Sequence, residues 1–244
     1  MFKKIGVTAT LLLIPTQIYF GQPKTTRVSL GTVSRTALAY FEKSTDRNLD
    51  DYLRSIRPAK LAPNLKLRVL SMLRQEDIVT PTPERSIKLA ALDPILRYHD
   101  RSATIDPKII RVKQAAVMFL AGAAVLISEE ALDMLTTEEL QAVVAHELGH
   151  EYFWNEYEEA QKNNRFEKLQ ELELRCDGLA VITMNSIGID PECLITGIAK
   201  LTKSHTGTSL RADHYAPMQE RVNFIRAMIE LVNARKGATA VTGI

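Results

Sequence analysis

The sequence predicts an α+β fold that is mainly helical, with a small β-sheet ahead of the longest helices. Short segments with continuous or alternating apolar residues, which are typical of strands, lie before residue 129. After that point, apolar residues recur at the spacing of an amphipathic helix. Strands followed by a run of helices are typical of the α+β class. The chain has 244 residues, 45% hydrophobic and 25% charged, which is enough apolar surface for a substantial core.

The N-terminus has the layout of a secretory signal peptide over residues 1–21. It begins with MFKK and continues with the apolar run IGVTATLLLIPTQIYF, which is followed by the small residue Gly21. The run is interrupted at Pro15 and is shorter than the ~20 apolar residues that a membrane-spanning helix needs. A retained signal anchor is the alternative, because YFG is a poor cleavage site. We expect export to the periplasm or the cell exterior, without stable membrane insertion.

The charge of the remaining chain excludes one class of partner. Two of the 31 basic residues lie in the signal segment, so the rest of the chain has 29 basic and 29 acidic residues. A neutral balance without a basic stripe lacks the electrostatic footprint of a nucleic-acid-binding protein. We therefore expect no nucleic-acid partner.

Residues 22–100 are predicted to form an N-terminal, mostly helical segment whose role the sequence leaves open. Apolar residues at helical spacing predict helices over 49–56 and 65–75. The stretch TPTPER (80–85) is predicted to be a loop, since each proline removes a backbone donor and disfavours helix in the residue before it.

Short strands are predicted around the start of the main domain, which we place at residues 101–236. Partial alternation of apolar residues indicates strands over 94–99 and 107–114. The stretch AVMFLAGAAVLIS (116–128) contains two apolar runs on either side of Gly122. This pattern fits either a pair of strands or one strand with a glycine kink.

Four helices are predicted after the strands, over residues 135–161, 166–188, 191–203 and 216–234. The first begins with Thr136 followed three residues later by Glu139, which is a capping-box pattern. Gly188 is a plausible C-cap for the second. The small residues of the tail, 237–244, are expected to fray.

The stretch AVVAHELGHEYF (142–153) has the spacing of a metal site. His146 and His150 are four residues apart, so both imidazoles can point from one helix face at a single ion. A catalytic zinc site uses three protein ligands and leaves the fourth position to water. Glu147 can reach such a water as a general base. Gly149 predicts close packing against a neighbouring helix, since a helical glycine otherwise costs ~1 kcal/mol. The alternative is a pair of core histidines bonded to their neighbours.

A third ligand is available in ELELRCDGLA (171–180). Glu173 and Asp177 are four residues apart and so share a helix face. Glu173 can bind zinc while Asp177 accepts the free N–H of a liganding histidine. Glu167 and Glu171 are competing ligands, but neither has an aspartate four residues later. The alternative for this stretch is a solvated charged face.

These motifs resemble one known family. LTTEELQAVVAHELGH followed by ELRCDGLAVITMNSIGIDP is similar to the HtpX and CAAX-prenyl-protease family of zinc metallopeptidases, which pairs HExxH with a downstream ExxxD. The resemblance covers roughly residues 105–230 and implies a zincin-like peptidase of the gluzincin type. It implies one Zn²⁺ held by His146, His150 and Glu173, with Glu147 as the catalytic base. It also implies a polypeptide substrate, bound as an added β-strand to the strand ahead of the active helix.

A late element, DHYAPMQERV (213–222), resembles the His-Pro…Arg element of the same family. The resemblance implies that His214, or Tyr215 beside it, donates a hydrogen bond to the oxyanion of the intermediate. The histidine and the proline are separated by two residues here, which departs from the family pattern, and a surface or capping histidine is the alternative. Arg221 is a candidate partner for an active-site carboxylate.

The leading hypothesis is therefore an exported zinc endopeptidase. The polar spacer between the two motifs indicates a soluble member of the family, because it has no hydrophobic segment. A second hypothesis is a non-catalytic scaffold of the same fold in which zinc is structural, for which a fourth protein ligand such as Cys176 would be the sign. A third keeps the peptidase site and makes residues 22–100 a partner or inhibitor module.

Overall fold

A computed structural model describes residues 30–43, 48–204 and 215–241. The predicted signal segment lies outside the described residues. Within them the helices are α1 (Thr32–Lys43), α2 (Leu49–Ser55), α3 (Pro63–Leu70), α4 (Pro83–Ala90), α5 (Asp93–Tyr98), α6 (Glu129–Met134), α7 (Thr137–Tyr152), α8 (Trp154–Lys162), α9 (Phe166–Ser186), α10 (Glu192–Ser204) and α11 (Met218–Val241). The strands are β1 (Ile78–Val79), β2 (Asp106–Ile110), β3 (Val117–Leu120) and β4 (Ala124–Ser128).

The four strands form one mixed sheet that precedes α7, so the predicted α+β class is confirmed. The strand order is β1-β2-β4-β3, with β2 and β4 parallel and the two outer pairs antiparallel. The hairpin β3–β4 settles the alternatives for 116–128 in favour of a strand pair. Its turn contains Ala121 and Gly122 with φ of 42° and 75°, a left-handed conformation that glycine adopts without steric cost. Strand β3 is an edge of the sheet.

Both faces of the sheet are buried. One face joins the main core through Ile109, Val117, Phe119, Val125 and Ile127. The opposite face forms a second apolar cluster of Ile110, Ala116, Met118, Leu120, Ala124 and Leu126. Val69, Leu70 and Leu73, from α3 and the turn after it, pack on that second cluster. Burial on both faces explains why β3 and β4 are almost continuously apolar in sequence.

The main core is built around α7 and α9, which pack against each other. Almost every residue of α7 from 139 to 150 is buried, and the predicted capping box between Thr136 and Glu139 is confirmed at its start. Helix α1 belongs to the same core, since a Cβ on Gly178 of α9 would lie 2.4 Å from the ring of Phe41. The N-terminal helices therefore contribute directly to the packing that holds α9 in place.

Two predicted elements are wrong. The segment 94–99 is not a strand but part of α5, which has Pro94 in its first turn and buries Ile95 and Leu96. A run of six residues is too short for its period to distinguish strand from helix, and a first-turn proline favours helix. The predicted helix 135–161 is two helices, because Phe153 leaves the helical conformation (φ −112°, ψ 13°) with its ring buried in the core.

The remaining predictions differ from the structure mainly at their ends. The predicted loop 80–85 is shorter, because Thr82 caps α4 by accepting a hydrogen bond from the Arg85 N–H. Helix α11 continues to Val241, beyond the predicted end at residue 234. Helices α1 and α4 lie within the mostly helical segment predicted for 22–100, and α6 lies in the part predicted to be helical from residue 129, but none of the three is predicted individually. In the described ranges, no helix combines the length and apolar character that crossing a membrane requires.

Candidate metal centre

The site lies where α7 and α9 approach most closely, at Gly149. A Cβ at this position would lie 2.9 Å from the Cα and Cβ of Cys176 on α9, closer than side chains pack. A glycine is therefore required for this approach, as the sequence predicts. The close packing brings one turn of α7, with its two histidines, against the turn of α9 that carries two carboxylates.

Both predicted histidines are buried and held through the same ring nitrogen. The Nδ1 of His146 is 2.8 Å from Oδ1 of Asp177, and the Nδ1 of His150 is 3.8 Å from the Sγ of Cys176. Both Nε2 atoms are buried and have no hydrogen-bond partner. The two imidazoles thus present a free nitrogen on the side opposite to their anchors, in a nearly perpendicular arrangement with ring centroids 5.3 Å apart.

Glu173 faces these two free nitrogens. Its Oε2 is 3.4 Å from the Nε2 of His146, and its Oε1 is 3.9 Å from the Nε2 of His150. Ligand atoms ~2.0–2.1 Å from a tetrahedral Zn²⁺ lie ~3.4 Å apart, which the first distance matches. Oε2 has no hydrogen-bond partner, whereas Oε1 accepts a hydrogen bond of 3.1 Å from the hydroxyl of Tyr157.

Glu147 is fixed on the side of the site that adjoins the sheet. Its Oε2 accepts a hydrogen bond of 2.9 Å from the backbone N–H of Phe119 in β3, and its Oε1 is buried without a partner. Since that N–H donates to a side chain, it points away from β4 and towards the free edge of the sheet. The edge strand therefore positions the carboxylate of Glu147.

A third carboxylate, that of Asp177, connects His146 to the buried guanidinium of Arg221. Arg221 of α11 donates to both of its oxygens, over 2.8 Å from Nε and 2.6 Å from Nη2. All three side chains are almost completely inaccessible to solvent. This arrangement fixes the orientation of the His146 ring, because Asp177 contacts the ring and is itself held by Arg221. Arg221 is thus a bidentate partner of the Asp177 carboxylate.

The charges and the buried polar atoms of the site could hold a cation. Four buried atoms without partners belong to neighbouring side chains of the site: Nε2 of His146, Nε2 of His150, Oε1 of Glu147 and Oε2 of Glu173. Buried polar atoms are normally satisfied, and a cation with a bound water would satisfy these. Three fully buried carboxylates also share a single buried guanidinium, so a divalent cation would bring the site to neutrality when all three carboxylates are ionised and both imidazoles are neutral. The buried group of His146, Glu147 and His150 can hold a metal ion.

No model of a known protein family matches the chain, and a search of the curated proteins finds no match either.

Two carboxylates compete for the third ligand position. The donor atoms of Glu147 and the two histidines lie within 4.8 Å of one another, so Glu147 is near enough to bind the same ion. However, one oxygen of Glu147 is already held by the backbone of β3. Glu173 lies within 4 Å of both Nε2 atoms and presents its unpartnered oxygen towards His146. If an ion binds here, these contacts favour Glu173 as the third ligand, with Glu147 beside the open position.

Burial and local charge shift the pKa values of the site residues in different directions. Burial lowers the pKa of His146, but the hydrogen bond and charge of Asp177 outweigh it and raise that pKa to about 9. Burial lowers the pKa of His150 to about 4 and raises the pKa of Glu147 to about 8. A bound cation favours neutral imidazoles and an ionised carboxylate, so it would lower the pKa values of His146 and Glu147.

The structure describes only part of the element DHYAPMQERV (213–222). His214, the predicted oxyanion donor, lies outside the described residues. Tyr215 is buried and interacts electrostatically with Tyr157 and with Arg221.

Three contacts of the site are not predicted from the sequence. They are the Tyr157 hydroxyl with Glu173, the Cys176 thiol with His150 and the Phe119 N–H with Glu147. Tyr157 lies on α8, beyond the helix break, so its spacing from the motif gives no signal. The HExxH spacing likewise says nothing about which strand meets Glu147. Only Cys176 has a sequence signal, because it precedes Asp177 on the ligand-bearing helix.

Replacement of Tyr157 by phenylalanine is expected to weaken metal binding ~10–100-fold, as the loss of hydrogen bonds to metal ligands does in general. Without its hydroxyl, Oε1 of Glu173 has no donor to hold the carboxylate in its orientation. Competition with a chromophoric chelator at fixed pH measures the affinity. Tyr152→Phe is the matched control, because the Tyr152 hydroxyl bonds His99 and not a metal-site residue. Equal affinities for the two variants would show that Tyr157 does not position the ligand.

Proposed function

We propose that this protein is a zinc-dependent endopeptidase of the zincin type, related to the HtpX and CAAX-prenyl-protease family. The observation that carries the proposal is that two histidines and two glutamates, each with a buried atom that lacks a hydrogen-bond partner, lie close together between α7 and α9. Three of these residues form a ligand set, and the carboxylate of the fourth is in position to act on a bound water.

Zinc fits the donor set better than other common cations. Two neutral imidazoles and one carboxylate oxygen are the ligand types of catalytic zinc sites, whereas Mg²⁺ and Ca²⁺ take mainly oxygen ligands. His146, His150 and Glu173 would hold the ion. When bound, it would supply a Lewis acid that polarises the scissile carbonyl and lowers the pKa of a water molecule.

The protein's own residues supply the proton transfers of the reaction. Glu147 takes a proton from the attacking water at Oε1 while the Phe119 N–H keeps Oε2 in place. The water oxygen bonds to the carbonyl carbon. When the C–N bond breaks, Glu147 returns the proton to the leaving amine. Asp177 and Arg221 hold His146 in one ring orientation throughout.

The location of Cys176 supports a catalytic role rather than a structural one. Its sulfur lies 3.8 Å from Nδ1 of His150, the ring nitrogen that is not the free Nε2. It therefore does not occupy the fourth position of the site. A structural zinc site has four protein ligands, whereas this arrangement offers three and a general base.

The edge of the sheet supports a polypeptide as substrate. Strand β3 pairs with β4 on one side, and its Phe119 N–H points to the other side, where Glu147 lies. An extended peptide added along this edge, next to the Phe119 N–H that Glu147 occupies, would form backbone hydrogen bonds and bring its peptide bonds past Glu147. We also propose export to the periplasm or the cell exterior, on the layout of the first 21 residues.

An assay on an unfolded protein tests the proposal. The purified chain is expected to cleave reduced, unfolded casein, to lose this activity on treatment with a zinc chelator, and to regain it when Zn²⁺ is restored. A His150→Ala variant, purified in parallel, controls for a contaminating protease, because it lacks one ligand. Activity that resists the chelator, or that persists in the variant, would contradict a metal-dependent mechanism.

A further inference from the structure

A basic pocket lies between α1 and α9, on residues that the proposed mechanism does not use. Its volume is about 430 Å³, within the range of ligand-binding pockets. One face of α1 lines it with Thr32, Arg35, Thr36 and Lys43, and α9 contributes Arg175. Among the described residues that line the pocket, none is acidic. The pocket therefore offers a ligand three cationic side chains and two hydroxyl groups.

The two cations of α1 are not neutralised by the part of the chain that the structure describes. Within it, neither Arg35 nor Lys43 forms an ion pair with a carboxylate. The Nη2 of Arg35 donates a hydrogen bond of 3.3 Å to the hydroxyl of Thr32, which keeps the guanidinium on the pocket side of α1. Glu42, the acidic neighbour of Lys43, interacts electrostatically with Arg235 of α11. Both positive charges of α1 therefore remain available to an anion.

Arg175 adds a buried donor to these exposed cations. The residue is only 8% exposed, and its Cζ lies 3.9 Å from the ring centroid of Tyr40, which also lines the pocket. Its two Nη atoms donate to Glu156 and Glu171. Its Nε is buried and has no hydrogen-bond partner within the described ranges. Because buried polar atoms are normally paired, this N–H is a donor that a ligand in the pocket would satisfy.

The carboxylates beside Arg175 do not cancel the charge of the pocket. Lys168 also contacts both of them, with Nζ 2.9 Å from Glu156 and 3.3 Å from Glu171. Two carboxylates thus face two cations, and this group of four is neutral. The charges of Arg35 and Lys43 are additional to it, so the pocket as a whole is complementary to a ligand with two negative charges.

We propose that this pocket binds a phosphate group, carried either by a small soluble ester or by a lipid headgroup. A phosphate monoester has about 1.5–2 negative charges at pH 7 and three strong acceptor oxygens, which matches the two available charges and the Nε–H of Arg175. Arginine and lysine are the usual phosphate-binding side chains. A single carboxylate would leave one of the two charges uncompensated. The inference does not depend on the proposed endopeptidase function, because it uses other residues and is tested by binding alone.

Titration of the full chain with glycerol 3-phosphate, by calorimetry at low ionic strength, tests the proposal. We expect saturable binding to a single site, with a Kd of ~1 mM or tighter. Arg35→Gln and Lys43→Gln should each weaken binding ~10-fold or more, since each removes a charged hydrogen-bond donor. Arg54→Gln is the matched control and should leave Kd unchanged. It removes one positive charge from α2, where the Arg54 side chain is 65% exposed and outside the pocket.

Arg175→Lys tests the buried donor separately. The change keeps the positive charge but removes the Nε–H, so binding of glycerol 3-phosphate should again weaken ~10-fold. Circular dichroism checks that this variant folds. If it does not, Arg35→Gln and Lys43→Gln decide the outcome, because both replace exposed side chains.

Two further probes identify the ligand class. Sedimentation with phosphatidylcholine vesicles, with and without phosphatidic acid, tests a lipid headgroup, and succinate tests a dicarboxylate. Binding of glycerol 3-phosphate that depends on Arg35 and not on Arg54 supports the proposal with a soluble ester as ligand. The same dependence for vesicles containing phosphatidic acid supports it with a lipid headgroup. Binding of neither phosphate probe, equal binding by all the variants, or tighter binding of succinate than of glycerol 3-phosphate overturns it.

Discussion

Glu147→Gln is expected to reduce peptide-bond hydrolysis by a factor of ~10²–10⁴ while leaving the metal bound. The amide has the shape of the carboxylate and can still accept the hydrogen bond from the Phe119 N–H, so the fold and the ligands are preserved. It cannot take a proton from water. The loss should therefore appear in kcat, measured on an unfolded protein or a quenched-fluorescence peptide, with metal content determined on the same sample.

Glu138→Gln is the control for this experiment. Glu138 lies on the same helix as Glu147, in its first turn and exposed to solvent, so it has no route to the site. Its replacement should change neither the hydrolysis rate nor the metal content. If Glu147→Gln retained activity close to that of the control, Glu147 would not be the general base. If it lost the metal together with activity, Glu147 would be a ligand, and the choice of Glu173 would be wrong.

The second large effect is expected on stability. Asp177→Asn should lower the free energy of unfolding by about 3–5 kcal/mol, because it leaves the fully buried Arg221 without a compensating charge. The same change removes the anionic acceptor of the His146 ring, so metal affinity should fall ~10–100-fold. Urea unfolding of the chelator-treated protein measures the first effect without a contribution from metal binding.

An exposed ion pair provides the comparison. Glu159 and Arg165 are 3.5 Å apart, with side chains 66% and 61% exposed. Pairs of this kind contribute little, so Glu159→Gln should change the free energy of unfolding by less than about 0.5 kcal/mol. If Asp177→Asn were no more harmful than this control, the Arg221–Asp177 pair would not be the buried support that the structure assigns to it.

Much of the helical half of the fold is predictable from local signals. The capping box at Thr136 fixes the start of α7, and the apolar period of 166–188 gives α9 to within a few residues. The hairpin β3–β4 follows from the two apolar runs around Gly122. In each case the signal and the structure it specifies lie within the same short stretch of chain, so a single sequence is enough.

Elsewhere the outcome depends on contacts that are distant in sequence. A segment of six residues is too short for its apolar pattern to distinguish the strand predicted for 94–99 from a helix. Helix α5 forms there, and its Ile95 and Leu96 are buried by the assembled core. No glycine or proline next to Phe153 predicts the break in the helix. It ends α7 and begins α8, because the ring of Phe153 packs into the core beside Tyr40.

The candidate site is also predictable from the sequence only in part. The spacing of His146 and His150 specifies their common face, and the spacing of Glu173 and Asp177 specifies theirs. That the two faces meet follows only from packing, of which Gly149 gives the one local hint. The hydroxyl of Tyr157 and the backbone of Phe119 reach the site through α8 and the sheet. A single sequence contains no pattern that links them to the motif.

We propose that His146, His150 and Glu173 hold one catalytic zinc ion. The most direct measurement is the metal content per chain, by mass spectrometry of the metals in protein purified without added zinc. We predict close to one Zn²⁺ per chain in the wild type and in Glu147→Gln, and a content near zero in His146→Ala, His150→Ala and Glu173→Ala. Absence of metal from the wild type after incubation with zinc, or equal zinc in all of these variants, would contradict the claim.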